Sequence, residues 1–384
     1  MKINELCKNK FYYLLIFIIF FGLFIFLFRE KIRYYFFAPR QNKVQEEVQS
    51  NIISSNPEDV EIVAQNLNIP WEIAFLPTGD MLVTERSGKL LKIGSETKVI
   101  KEIEGVKHIG EGGLLGLALH PNFSLNSFIY LYSTTQDASG ISNRVERYKF
   151  LNDTLSERKV ILAGIKGSSN HDGGRIAFGP DGYLYITTGD AENSNLAQDK
   201  NSLNGKILRI KDDGNIPPDN PFGNAVYSMG HRNPQGLAWD KDGTLWETEH
   251  GPSGIQTGYD EINKITKGAN YGWPEVRGNQ TKEGFVSPVI QSGSEDTWAP
   301  SGMIYWSGSL FFSGLRGEAL YEAKITKENK LNLITHFKQR FGRIRAVVLG
   351  TDGFIYLSTS NRDGRGQVKE GDDKIIKINP RIFR

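Results

Sequence analysis

The chain is 384 residues long, 23% of them charged, with a formal net charge of +2. So even a balance excludes the basic surface that a nucleic-acid partner requires. The one cysteine, Cys7, excludes a disulfide within the chain, and a domain of this size folds on its core without one in any compartment.

Residues 11–28, FYYLLIFIIFFGLFIFLF, carry no charge and no polar face. As a helix they rise roughly 27 Å, close to the hydrocarbon thickness of a bilayer. Lys8 and Lys10 precede them and Arg29, Lys31 and Arg33 follow. No small-x-small cleavage pattern follows, so residues 1–33 are predicted to be a short stub and a single uncleaved transmembrane signal-anchor. Both flanks are basic, so charge leaves the orientation open. Residues 34–58 turn to Gln, Asn, Glu and Ser, which predicts a flexible tether.

From residue 59 to 384 one pattern recurs. Pro70–Phe75 leads through a Pro-Thr-Gly-Asp turn to Met81–Thr84. Gly113–Leu119 leads to Phe128–Tyr132, and Ile176–Phe178 through Gly179-Pro180-Asp181-Gly182 to Tyr183–Thr187. Asn233–Trp239, Ser301–Tyr305 and Ile344–Leu349 each lead through a turn to a second apolar segment. Six strand–turn–strand units spaced roughly 40 to 65 residues apart, with 41 glycines and 11% aromatics, predict an all-β, six-bladed propeller. A pair of β-sandwiches is the rival, but would not require this self-similarity. The ring must close, and Lys374–Ile378 is the strand placed to pair with Val60–Ala64.

Unusual polar residues stand directly before the first strand of several repeats: Glu111, Asn170-His171-Asp172, Arg232-Asn233, and Arg343 with Arg345. Equivalent positions in a propeller converge on one end of the axis, so the period itself gathers these residues into one mouth. His171 begins a strand and does not sit within an apolar run, which favours chemistry over packing. His120 reads as structural, part of a His-Pro turn, and His231 is open to either role, with a structural hydrogen bond to its loop favoured.

At these residues the chain resembles the soluble pyrroloquinoline-quinone (PQQ)-dependent glucose/sorbosone dehydrogenases, in particular the aldose sugar dehydrogenase branch. The resemblance runs through Gly110-Glu111-Gly112-Gly113-Leu114-Leu115-Gly116, Asn170-His171 and Gly230-His231-Arg232-Asn233-Pro234-Gln235-Gly236. It continues in Glu249-His250-Gly251-Pro252, Asp260-Glu261-Ile262-Asn263, Tyr271-Gly272-Trp273-Pro274 and Arg343-Ile344-Arg345. It implies oxidation of an aldose at C1 to the lactone, with PQQ and calcium as cofactors. His171 would be the general base, with hydride passing to PQQ. Arg232 and Asn233 would contact the quinone oxygens, Arg232 catalytically. Glu111, Asn170 and His171 would face the cofactor, Arg343 and Arg345 would bind its carboxylates, and Trp298 would stack on it. Gly251 and Pro252 would ligate calcium through carbonyls, and Glu261 and Tyr271 would hold a second calcium. Three positions depart from the family pattern. Glu111 replaces a glutamine, Asn170 an aspartate and Leu315 a lysine, so a charge beside His171 and a cation for the cofactor are both expected to be lost.

The resemblance and the anchor together imply a membrane-anchored enzyme with its propeller outside the cytoplasm, periplasmic or extracellular, and an electron acceptor that the sequence does not identify. The alternative is a non-enzymatic tethered propeller that binds a sugar or a protein. A propeller lactonase would need a side-chain calcium cage on the axis, where this chain places Arg, Asn and His.

Overall fold

The computed structural model describes residues 59–252, 258–328 and 330–384, together with residues 13, 16–18, 20–24, 26 and 27 of the N-terminal stretch. Those N-terminal residues are helical and exposed. The rest of the anchor predicted over 11–28, and the whole tether over 34–58, lie outside the described residues. Among the described residues no helix is long and apolar enough to cross a membrane.

The remainder is a six-bladed propeller of antiparallel four-stranded sheets. The strands run in chain order from β1 (Val60–Ala64), which belongs to the last blade. Blade one is β2 (Pro70–Phe75), β3 (Met81–Glu85), β4 (Lys89–Ile93) and β5 (Thr97–Glu102). Blade two is β6 (Leu114–Leu119), β7 (Phe128–Asp137), β8 (Gly140–Leu151) and β9 (Thr154–Lys166). Blade three is β10 (Ile176–Phe178), β11 (Leu184–Thr188), β12 (Lys206–Ile210) and β13 (Val226–Met229). Blade four is β14 (Pro234–Trp239), β15 (Leu245–Glu249), β16 (Glu261–Ile265) and β17 (Ile290–Gln291). Blade five is β18 (Pro300–Trp306), β19 (Ser309–Gly314), β20 (Ala319–Ile325) and β21 (Leu331–His336). Blade six is β22 (Ile344–Leu349), β23 (Ile355–Thr359) and β24 (Ile375–Ile378), completed by β1. Val60 pairs with Ile378 and Ile62 with Ile376, so the chain ends close the ring as the sequence predicts. Six separate sheets dispose of the sandwich alternative.

The strand sequences follow their depth. The second strand of a blade is covered on both faces by the neighbouring blades, so β3, β11, β15, β19 and β23 are buried at every position. They therefore have no solvent-facing side, and their polar residues, such as Thr84, Glu247 and Ser358, are buried with the rest. Outermost β5, Thr-Lys-Val-Ile-Lys-Glu, is almost wholly exposed. The hairpin turns are secured locally. Asp181 accepts from Tyr183 N through one oxygen and from Tyr185 Oη through the other. Asp352 does the same with Phe354 N and Tyr356 Oη.

A buried hydroxyl repeats between blades. The first strands of blades one and six slip register where Glu72 and Ala346 stand, and there Thr84 and Ser358 accept from Glu72 N and Ala346 N. The same hydroxyls donate to the next blade, Thr84 Oγ1 to Leu115 O at 2.6 Å and Ser358 Oγ to Pro70 O at 2.9 Å. Thr248 and Ser313 likewise donate to Ser301 O and Arg345 O. From blade two to three the link is Tyr132 Oη to Asp172 O, and from three to four Arg175 Nε to Gln235 O. The axis is thus filled with polar side chains. Arg175 forms an ion pair with Glu72 and lies 4.3 Å over Trp71, all three buried.

Candidate active site

Each first hairpin places its turn at one end of the axis. The start of the first strand and the end of the second strand therefore meet at the other end. That end collects Glu111, Asn170, His171, Arg232, Asn233, Arg343 and Arg345 from the starts, and Arg86, Asp190 and His250 from just beyond the second strands.

His171 Nδ1 lies 2.7 Å from Asp190 Oδ1. Trp273 Nε1 donates to the other Asp190 oxygen at 2.8 Å. Burial works to raise the Asp190 pKa, but the hydrogen bonds from His171 and Trp273 and the charge of Arg232 bring it below the ordinary value. A carboxylate on Nδ1 fixes the ring's orientation and leaves Nε2 as the acceptor. The charge that the sequence analysis expected to be lost at Asn170 is therefore supplied by Asp190. Asn170 itself donates to Glu192 at 3.1 Å.

The His171 backbone is held as firmly as its ring. Its φ is +63°, uncommon for a residue with a Cβ. Its N–H donates to Glu111 Oε2 at 3.1 Å and its carbonyl accepts from Ala191 N at 3.2 Å. The loop lies so close to Gly189 that a Cβ there would stand 1.9 Å from His171 O. Glu111 reaches further. Its other oxygen pairs with Arg365 Nη1 at 2.5 Å, and Asn233 Nδ2 lies 3.4 Å from Oε2. Burial pushes the Glu111 carboxyl up, but Arg365, His250 and His171 outweigh it and hold it well below the usual range. Arg365 Nη2 also donates to Asn170 Oδ1 at 2.9 Å, so a loop of blade six ties down the loops of blades two and three.

The cationic residues are buried and not solvated. Arg343 is 4% exposed and grips Asp363 through Nε and Nη2. Arg345 is 3% exposed, donates from Nη1 to Gln235 at 2.7 Å, and lies 5.6 Å over Trp71. Its buried Nε has no partner among the described residues. Burial, then the nearby charge of Arg86, lowers its pKa to about 9, which still leaves it charged at neutral pH. Arg232 lies over Trp273 at 5.5 Å, and its backbone N–H donates to Glu249. Asn233 Oδ1 accepts from Gly173 N at 3.0 Å. Trp298 is a correction. Its indole is 2% exposed, packed against Phe312 and Tyr321 in the core of blade five, so it presents no open stacking face. Leu315 is buried, its N–H bonded to Ala299 O.

Gly251, Pro252, Glu261 and Tyr271 line one small cleft with Arg232, Glu249 and His250. Behind it His231, Glu247 and Glu249 bring their donor atoms within 4.8 Å of one another, all buried. Glu261 stands directly across the ladder from Glu249. Burial, then Glu249, pushes Glu261 up to about 8 and Glu247 well above its usual value. Glu247 Oε1 has no partner among the described residues. Buried carboxylates this close stay ionised together only around a cation. The Tyr271 hydroxyl is committed elsewhere, donating to Lys264 O and accepting from Thr266 N, so only its backbone remains for a ligand role. His231 is fully buried, its ring between Ser228 Oγ and Glu249 Oε2.

The sequence analysis assigned no role to Asp190, Arg86, His250 or Arg365. The first three had a usable signal, because in every hairpin the end of the second strand faces the same mouth as the start of the first. Arg365 had none, since its partners are 195 and 254 residues away in the chain.

A family model described as Glucose / Sorbosone dehydrogenase matches residues 67–370. A Thermus thermophilus protein assigned by its description as an oxidoreductase (glucose dehydrogenase) is 43% identical with a TM-score of 0.80, over 83% of this chain and 99% of that one. The PQQ-bound form of an aldose sugar dehydrogenase from Streptomyces coelicolor is 40% identical with a TM-score of 0.77, over 83% and 97%. Aldose sugar dehydrogenase YliI of Escherichia coli (strain K12) is 33% identical over 363 residues, 84% of this chain and 93% of that protein. The propeller, the grouping of residues at its mouth and these matches agree, and the chain belongs to the glucose/sorbosone dehydrogenase family.

Proposed function

We propose that this protein oxidises aldose sugars at C1 to the lactone, with PQQ and calcium as cofactors. The observation that carries the reading is the His171–Asp190 pair at 2.7 Å, set in a mouth where buried guanidiniums await an anion. PQQ fits the donor set. The Arg345 guanidinium, whose only hydrogen-bond partner among the described residues is the neutral Gln235, suits a carboxylate, Arg343 stands beside it, and Arg232 and Asn233 come from the neighbouring loop. Bound PQQ supplies a two-electron acceptor for the hydrogen leaving C1. Calcium fits the cleft that brings together the Gly251 and Pro252 carbonyls, expected to hold one ion, and Glu261 with the Tyr271 backbone, expected to hold a second, backed by Glu247 and Glu249, and it supplies a hard Lewis acid there.

The chain's own part is positional and acid–base. His171 Nε2 accepts the proton of the sugar C1 hydroxyl, while Asp190 holds the Nδ1 proton and stabilises the imidazolium that forms. Arg232 keeps a fixed positive charge in a largely buried site, where developing negative charge is stabilised far more than in water. Glu111 pins the backbone of the base.

Reconstitution with PQQ and calcium, followed by dye reduction over a panel of aldoses, tests the reading. Wild type is expected to turn over. His171→Ala is expected to lose turnover by roughly 10²–10⁴-fold while its PQQ absorbance titration is unchanged. Turnover surviving in His171→Ala moves the base elsewhere, and no binding of PQQ by wild type ends the proposal. We further propose that the propeller is held outside the cytoplasm by the N-terminal segment, which the apolar run 11–28 supports. Release of the full chain from membranes by detergent but not by salt is the expected result, and release by salt alone would refute an anchor.

A further inference from the structure

Not every guanidinium at the mouth is hydrogen-bonded to a carboxylate. Arg365 has Glu111 and Arg343 has Asp363. Among the described residues Arg345 hydrogen-bonds only the neutral Gln235, and Arg86 only the neutral His108, whose Nε2 accepts from Arg86 Nε at 3.1 Å. Arg86 is 4% exposed. Its Nη atoms make no hydrogen bond to any described residue, yet they are not sealed from the mouth as Arg345 Nε is. The guanidinium lies among Asp363, Glu111, Arg365 and Arg343, and its charge is felt at Arg345. Its stem is packed so tightly on the glycine turn that a Cβ at Gly113 would stand 2.7 Å from Arg86 Cγ. Burying a guanidinium without an anion is costly, and here two of them sit side by side with donors to spare. The fork is also aimed before any ligand arrives, because His108 occupies its Nε edge and leaves both Nη groups for a bidentate partner. His108 suits this role. Burial first, then Arg86 itself, depresses its pKa, so it stays a neutral acceptor.

We propose that Arg86 is a further ligand-binding residue of this site. With Arg343 and Arg345 it forms a cradle of three guanidiniums for the carboxylates of an aromatic polycarboxylate cofactor. The proposal rests on the function proposed above and extends it. It also explains how the site keeps its cationic character with an apolar residue at Leu315.

Titration of the apo-protein with PQQ and with PQQ trimethyl ester, followed by tryptophan fluorescence, tests this without any need for turnover. Arg86→Gln is expected to bind PQQ about ten- to a hundredfold more weakly than wild type, the loss of a charge-assisted hydrogen bond. The two proteins are expected to bind the ester alike, because it has no carboxylate for Arg86 to hold. Arg86→Lys is expected to fall between them for PQQ. Equal weakening for PQQ and ester means a structural role and overturns the proposal, as does unchanged PQQ affinity in Arg86→Gln. Where Arg86→Gln does not fold, Arg86→Lys takes its place with the same expectations, and wild-type ester binding as tight as PQQ binding overturns the cradle. Wild type that binds neither overturns the proposed function and this inference with it.

Discussion

His171 shows how a single residue is made functional by its surroundings. Its ring is set by Asp190, its N–H by Glu111 and its carbonyl by the close approach of Gly189. Its neighbour Asp172 has the opposite character. Asp172 is 2% exposed, one oxygen accepts from Asn143 and Ser168 N, and the other has no partner among the described residues. Burial raises its pKa from 3.8 to about 7. A carboxyl whose folded pKa is raised contributes stability that is fully present below the unfolded value, and that stability is lost as pH rises through the folded value. Asp172→Asn is therefore expected to gain on wild type by about 1.4 kcal/mol per pH unit between about pH 4 and pH 7. Urea unfolding of both proteins across that range measures the difference. A pH-independent difference would show that Asp172 is ionised in the folded protein throughout.

At four of the six blade junctions the link is a hydroxyl near the end of the second strand. Each donates to a carbonyl of the next blade, and two of them also cap a slipped backbone N–H in their own blade. Thr84 and Ser358 do both, within 3.1 Å in every case. Removing either leaves two buried backbone groups unsatisfied. Thr84→Ala and Ser358→Ala are each expected to cost about 1–3 kcal/mol. Ser133 is the internal control, because its buried hydroxyl has no partner among the described residues. Ser133→Ala is expected to stay within about 0.5 kcal/mol of wild type. Chemical denaturation of the three variants checks the contrast, and equal losses would mean that the hydroxyls act only through volume.

Over the whole molecule, stability depends on closing the ring. β24 is covered by β1 on one side and β23 on the other, and its Ile375, Ile376 and Ile378 are fully buried. A chain lacking residues 59–64 would leave the β24 edge unpaired, an open template for another chain. It is expected to lose about 2–5 kcal/mol, from a handful of ladder hydrogen bonds, and to self-associate. Thermal unfolding and size-exclusion chromatography report the two effects. An unchanged midpoint with a monomeric elution would show that blade six stands on three strands. The same closure aims the six first hairpins at one mouth, so an open ring is also expected to bind PQQ more weakly.

The propeller was legible because its signals are local. Asp181 and Asp352 secure turns with residues two and four positions away, and each hairpin announces itself within about fifteen residues. The shared end of the axis followed from the period, which is why His171, Arg232, Asn233, Arg343 and Arg345 were found together. Trp298 misled because a tryptophan beside a predicted mouth reads the same whether it faces the axis or the blade core. What the sequence by itself determined was thus the number of blades, the strand that closes them and which loops share an end, since these depend on spacing and turn chemistry. Which charges meet was decided only by the tertiary structure. Asp190 meets His171 between two loops of blade three, and Arg365 meets Glu111 across the mouth. Arg86 and Arg345 are hydrogen-bonded to the neutral His108 and Gln235, although Asp363 and Glu111 lie near both. Spacing along the chain carries no information about such pairings, because they arise when the closed ring brings separate loops within hydrogen-bond distance.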